Sequence, residues 1–102
     1  EEKTILLRKQ NNIPESEITL KQNYPNPFNP ITSIQYVVSS KTLVTLKVYD
    51  VLGNEIKTLV EEEKPVGIYE VNWNASEMPS GVYFYKVTSG RITDIKKMIL
   101  IK

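Results

Sequence analysis

From residue 18 onward, apolar and polar residues alternate with a period of two. This alternation is typical of β-strands that have one buried and one solvated face, and no stretch longer than a turn has a helical period. The pattern predicts about seven short strands, at residues 18–21, 33–38, 43–49, 55–60, 68–73, 82–88 and 92–101. The positions predicted to face the core are Ile34, Tyr36, Val38, Val44, Leu46, Val48, Tyr69, Val71 and Trp73.

The segments between these strands carry turn residues. Residues 50–54 predict the turn of a hairpin, with Asp50 accepting hydrogen bonds from the backbone that follows it, and residues 61–65 predict a charged loop tip. Short strands at this spacing indicate an all-β protein, an antiparallel β-sandwich of six or seven strands. A barrel is the alternative.

Residues 23–30 interrupt the alternation with three prolines. Proline lacks a backbone donor and restricts its own φ and the residue before it, which excludes a helix or a central strand. We expect an ordered corner in which Tyr24 and Phe28 pack over one end of the sandwich and the three asparagines bond to nearby backbone. A mobile spacer is the alternative.

Residues 1–17 do not share the alternation. We interpret them as a linker or the tail of an upstream region, and residues 18–102 as the folded domain. A short apolar stretch, Thr4 to Leu7, lies within this linker. The start of the chain is not a signal peptide, so an export address would lie upstream or be the domain itself.

Composition favours one globular domain: 102 residues, 40% hydrophobic and 25% charged. Thirteen basic and twelve acidic residues are interspersed and give a formal net charge of +1. This balance does not provide the basic stripe that binds nucleic acid or anionic lipid. The longest apolar run is far shorter than the roughly 20 residues of a spanning helix.

The chain contains no histidine and no cysteine. The commonest general base, the usual triad member and the commonest metal ligands are therefore missing, which argues against an enzyme. The carboxylates lack the spacing of a calcium loop, and no glycine-rich phosphate loop is present. We expect no catalytic, cofactor or metal site. Trp73 and the tyrosines weakly suggest a glycan-binding sandwich, although they serve a core equally well.

The last predicted strand is apolar on both faces. Ile95, Ile99 and Ile101 share one face, and Met98 and Leu100 share the other. This pattern is typical of an internal strand, but it also fits an edge strand that invites strand addition by a partner.

Four segments resemble one known family: residues 24–30 (YPNPFNP), 44–53 (VTLKVYDVLG), 81–85 (GVYFY) and 96–102 (KKMILIK). Together they resemble the type A C-terminal sorting domain of the type IX (Por) secretion system, over about residues 18–102. The resemblance implies a seven-stranded immunoglobulin-like fold carried by diverse cargo proteins. It also implies a non-enzymatic secretion signal that directs an attached cargo through the outer-membrane translocon, after transit of the periplasm, to the cell surface or beyond.

The same resemblance implies partners and sites. The partners are the translocon with its shuttle and sortase proteins and the upstream cargo, and removal by the sortase would cut within residues 1–20. The implied sorting residues are Pro25, Asn26, Pro27, Gly81, Tyr83, Lys96, Lys97, Met98, Ile99, Leu100, Ile101 and Lys102. The alternative function is a retained cell-surface or self-assembly module, in which residues 4–7 add as a strand to a neighbour's sheet.

Overall fold

The computed structural model describes residues 18–102, so the predictions for residues 1–17 lie outside the described part of the chain. Residues 18–102 contain seven strands and no helix that could cross a membrane. The strands are β1 (Ile18–Leu20), β2 (Ile31–Val38), β3 (Thr42–Tyr49), β4 (Glu55–Lys64), β5 (Gly67–Asn74), β6 (Gly81–Ser89) and β7 (Ile92–Leu100).

The strands form two antiparallel sheets that pack face to face. One has three strands in the order β1-β2-β5 and the other has four in the order β4-β3-β6-β7. The predicted sandwich of seven strands is confirmed, and the barrel alternative is wrong. The fourth strand pairs with β3, whereas in constant-type immunoglobulin domains the corresponding strand lies beside the fifth.

The core lies between the sheets and uses the faces predicted from the alternation. Ile34, Val44, Leu46 and Val48 are each 0% exposed. Aromatic rings fill both ends: Tyr36 stacks on Tyr69 with centroids 5.4 Å apart, and Trp73 contacts Phe28 and Tyr83. Trp73 is buried, so the glycan-binding interpretation of its ring is wrong.

Strand β4 is longer than predicted, because residues 61–64 continue the strand instead of forming a loop tip. They pair with residues 42–45 of β3. β4 is an edge strand whose side chains reach water, so successive glutamates are tolerated, and charge on an edge discourages pairing with another chain. Lys64 forms an ion pair with Glu62 and lies over the Tyr69 ring.

The turn between β3 and β4 is confirmed. The Asp50 carboxylate accepts hydrogen bonds from the backbone N–H groups of Leu52 and Asn54, each at 2.9 Å, and from the Asn54 side chain. These bonds stabilise the charged form and hold the pKa of Asp50 below its usual value. Gly53 has a φ of 87°, which suits glycine and completes the turn.

One buried hydroxyl links the two sheets directly. Tyr85 of β6 is 0% exposed, and its hydroxyl donates to the backbone oxygen of Lys21, just after β1, at 2.7 Å. Burial raises the pKa of Tyr85 to about 12. The short strand β1 is therefore held by β2 on one side and by this bond from the opposite sheet.

Replacing Tyr85 tests this link. We expect Tyr85→Phe to lower the free energy of unfolding near neutral pH by about 1 kcal/mol, the typical net value of one hydrogen bond. Because burial raises this pKa from 10 to about 12, its contribution is fully present below pH 10 and is lost as pH rises towards 12. Denaturant unfolding across that window should therefore show a shallower decline for Tyr85→Phe than for the wild type. Tyr24→Phe, at a ring that is 80% exposed, is the control, and equal slopes in all three would contradict the assignment.

Candidate recognition site at the terminal strand

The proline-rich segment is an ordered corner, residues 23–30, held at two points. At its start, Tyr24 and Ser33 exchange two backbone hydrogen bonds of 2.9 Å. Further along, Phe28 forms a parallel bridge with Leu100 at the end of β7. The expected ordered corner is confirmed, and the peptide bonds preceding Pro25, Pro27 and Pro30 are cis.

A buried amide organises the inside of the corner. Asn23 is 2% exposed, and its Nδ2 donates to the Pro25 oxygen at 3.1 Å and to Thr32 Oγ1 at 2.9 Å. The Thr32 hydroxyl donates to the same Pro25 oxygen. Because buried polar groups are costly unless satisfied, this network favours one arrangement of the corner. The predicted asparagine–backbone bonds are confirmed for Asn23 and, as shown below, for Asn26. The prediction is wrong for Asn29, whose side chain bonds to no residue within the described range 18–102.

The two rings of the corner have different environments. Phe28 is 2% exposed and packs on Trp73 with centroids 5.9 Å apart, as expected. Tyr24 is 80% exposed, so the expectation that its ring packs over the sandwich is wrong. The reason is register: Tyr24 pairs with Ser33, which lies on the solvent face of β2, and paired residues share a face.

Strand β7 is an edge strand of the four-stranded sheet, so the internal-strand alternative is wrong. Its faces differ as the sequence predicts. Met98 and Leu100 point into the core with 0% and 1% exposure, whereas Ile95 and Ile101 point outward and are more than half exposed.

Gln22 and the corner together cover the outer edge of the second half of β7. Gln22 Nε2 donates to the Lys97 oxygen at 2.8 Å, and Asn26 Oδ1 accepts from the Ile99 N–H at 2.9 Å. Phe28 N donates to the Ile99 oxygen, and Ile101 N donates to the Phe28 oxygen, both at 2.9 Å. Backbone groups that an edge strand normally leaves open are thus satisfied by one short segment.

The glycine and tyrosine of the GVY segment lie beside the same strand. Gly81 pairs with Leu100 and Tyr83 with Met98. Gly81 has a φ of 154°, a backbone conformation that other residues rarely adopt. The Tyr83 hydroxyl donates to the Pro79 oxygen at 2.7 Å. In the similar segment at residues 67–69 (GIY), the Tyr69 hydroxyl donates to the Pro65 oxygen at 2.6 Å, so each tyrosine holds the loop that precedes its own strand.

The end of the chain contacts the loop that Tyr83 pins. The backbone N–H of Lys102 donates to Ser80 Oγ at 3.0 Å, and its Nζ donates to the Ser76 oxygen at 2.6 Å. The ring of Tyr83 is 4% exposed and contacts the edge of Trp73. Tyr83 therefore holds the loop at residues 75–80 in place and has little exposed surface for a partner to bind.

The structure brings together the predicted sorting residues of the corner, the GVY segment and the end of the chain, and these residues differ in their exposure to solvent. The exposed members are Pro25, Asn26, Pro27, Gly81, Lys97, Ile101 and Lys102; Lys96 and Ile99 are half-buried; Tyr83, Met98 and Leu100 are buried. We call the exposed and half-buried members, together with Tyr24, the terminal-strand surface. Sequence reasoning missed the contribution of Gln22, whose partner Lys97 is 75 residues away.

Comparison with known proteins gives one family match. A family model described as the secretion system C-terminal sorting domain matches residues 22–102, which include the corner, the GVY segment and β7. Neither a curated protein nor a solved structure matches the chain significantly.

The Asn26–Ile99 bond can be tested by hydrogen exchange. We expect Asn26→Ala to speed exchange of the Ile99 amide, because this substitution removes the side-chain acceptor from an otherwise open edge. The cost in stability should be small, about 1 kcal/mol or less, since the bond is exposed. Asn29→Ala is the matched control, because within residues 18–102 the Asn29 side chain makes no hydrogen bond. Unchanged Ile99 exchange in Asn26→Ala would refute the assignment.

Proposed function

Because the chain belongs to the family of secretion system C-terminal sorting domains, we propose that the type IX machinery recognises its terminal-strand surface. The family is not an enzyme family; its members are sorting signals for export across the outer membrane to the cell surface or extracellular space. The observation that carries the proposal is that residues 26–28 of the corner are hydrogen-bonded to residues 99–101 at the end of the terminal strand.

The chemistry of this surface suits a binding role. Pro25, Pro27 and Tyr24 supply exposed rings with little side-chain entropy to lose on binding. Ile101 adds an exposed apolar side chain, and Lys97 adds a cation that has no ion-pair partner among residues 18–102. A partner that fits would present an apolar patch with a nearby acidic group.

The other predicted sorting residues act indirectly in this proposal. Met98 and Leu100 belong to the core, and Tyr83 holds the loop at residues 75–80. They set the position of β7 without offering surface to the machinery. Deleting residues 96–102 would therefore remove core side chains as well as surface, and loss of export in that deletion would not separate the two effects.

Further proposed steps are transit of the periplasm, delivery by shuttle proteins, and removal of the domain by a sortase at the surface. The structure bears on where removal would occur. Ile18 and Leu20 are each 3% exposed within β1, and proteolysis requires accessible chain. We place the cleaved bond before Ile18, which narrows the range of residues 1–20 expected from the resemblance.

The alternative proposal is a retained module that assembles on the cell surface by strand addition. Its predicted donor, residues 4–7, lies outside the described residues. One observation favours an acceptor: the first half of β7 has an outer edge that the corner does not cover.

Export should depend on the exposed face of the terminal strand. We expect Ile101→Asp in a cargo fusion to leave the cargo in the periplasm, because a carboxylate would replace an exposed apolar contact. Since Ile101 is 53% exposed, the domain should unfold at nearly the wild-type temperature. The measurement is the fraction of cargo in periplasm, surface and medium, with a thermal melt of the purified domain.

Ile68→Asp is the matched control for that experiment. Ile68 is 70% exposed but lies on the outer face of the other sheet. This variant should be exported at the wild-type level. Equal export of both variants would show that the machinery does not read the terminal strand.

Cleavage can be located by mass spectrometry of the released domain. We expect an N-terminus at or before Ile18, because β1 pairs with β2 and its apolar side chains lie in the core. A fragment that begins at Thr19 or later would contradict the placement. A cargo that is recovered at the surface with the domain still attached would favour the retained module.

A further inference from the structure

The first half of β7 leaves part of its outer edge open. In an antiparallel pair, alternate residues turn their N–H and C=O groups away from the neighbouring strand. The bonds from Gln22 and the corner identify these as the odd-numbered residues, since they reach Lys97, Ile99 and Ile101. Residues 93–97 form what we call the open segment.

Within residues 18–102, little competes for the backbone of the open segment. The Ile95 N–H donates to the neighbouring Asp94 Oδ1 at 2.9 Å, and the Lys97 oxygen accepts from Gln22. No other described residue bonds the outward groups of Thr93 or the oxygen of Ile95. The side chain of Ile95 is 54% exposed. An edge of this kind accepts a further strand.

We propose that the open segment pairs with the same segment of a second copy of this chain, antiparallel, about a two-fold axis at Ile95. Thr93 then lies opposite Lys97 of the second copy, and Ile95 lies opposite Ile95 of the second copy. The outward groups of these odd-numbered residues meet in hydrogen-bonded pairs. In these pairs the Thr93 N–H replaces Gln22 as the donor to the Lys97 oxygen, and the Ile95 N–H donates to the other copy's Ile95 oxygen instead of to Asp94. The pairing extends the four-stranded sheet across the two copies.

Charge favours this register over its neighbours. With Ile95 on the axis, Asp94 of each copy lies opposite Lys96 of the other, in pairs whose side chains approach closely. A slip of the register that centres the axis on Asp94 places two carboxylates opposite each other, and one that centres it on Lys96 places two ammonium groups opposite each other. The segment is therefore complementary to itself in one register.

The corner sets the limit of the pairing. Beyond Lys97, the outward groups of Ile99 and Ile101 are already bonded by Asn26 and Phe28. A second strand cannot continue past that point without displacing the corner. The pairing is consequently short, and the dimer should form and dissociate with concentration.

A shallow groove beside the open segment adds apolar contact. It is lined by Tyr49, Phe84, Lys86 and Ile95, together with residues of the β3–β4 turn, and has a volume of about 450 Å³. Ile95 of the second copy would lie on the same face, at the rim of this groove, because directly paired residues share a face. Pairing would thus reduce the exposure of both isoleucines.

Charges that point inward on an edge strand also protect a single copy from unspecific pairing. Asp94 and Lys96 share the face of Met98 and are half-buried, so they serve that purpose against strands of other sequence. Against a second copy, each meets its opposite charge. The same two residues would therefore reject foreign strands and select the chain itself.

The test uses sedimentation velocity of the 102-residue chain over a wide concentration range. The wild type should show a concentration-dependent monomer–dimer equilibrium. Asp94→Lys and Lys96→Asp should each weaken it at least tenfold, because each places like charges opposite one another. An equimolar mixture of the two variants should dimerise again, since every 94–96 pair between the two variants is then complementary.

The mixture also serves as the control for folding, because a misfolded variant would not regain pairing. Glu77→Lys, at an exposed position on the loop before β6, makes the same charge change as Asp94→Lys and should dimerise as the wild type does. A wild type that stays monomeric, single variants that dimerise normally, or a mixture that stays monomeric would each overturn the proposal. Export of a fused cargo plays no part in this test, so its outcome is independent of the sorting role.

Discussion

Two backbone hydrogen bonds between Phe28 and the end of β7 hold the site together. Phe28 donates to the Ile99 oxygen and accepts from the Ile101 N–H, while its ring lies in the core against Trp73. Phe28 therefore connects the corner both to the core, through its ring, and to the terminal strand, through its backbone. A displacement of the Phe28 ring would open the edge of β7, and loss of that edge would expose the ring.

This contact also explains how a terminal strand that is apolar on both faces can lie at an edge. One face enters the core through Met98 and Leu100, and the backbone edge of the second half is covered by residues 22–28. Protection of an edge usually relies on charge, a bulge or a covering loop. Here a covering loop protects the second half of the strand, and inward charges protect the first half.

The fold was largely predictable because the period-two pattern reports directly which residues face the core. Ile34, Leu46 and Val48 were assigned correctly on that basis. The end of β4 was not predicted correctly. It is an edge strand with few buried side chains, so apolar and polar residues do not alternate there, and the glutamates at residues 61–63 resemble a loop. Tyr24 was misplaced since an aromatic ring in a corner gives no sign of its face until its partner Ser33 is known.

The hydrogen bonds of the site could not be predicted from the sequence, because they join residues that are far apart in the chain. Asn26 and Ile99 are 73 residues apart, and their bond exists only when both sheets have assembled. Local sequence patterns cannot report such a pair, and an unfolded chain cannot present it. A partner that binds the corner and the terminal strand together therefore binds only a folded domain. Loop closure over this distance is favourable only after the core has formed, so the stability of the core sets how often the joint surface exists.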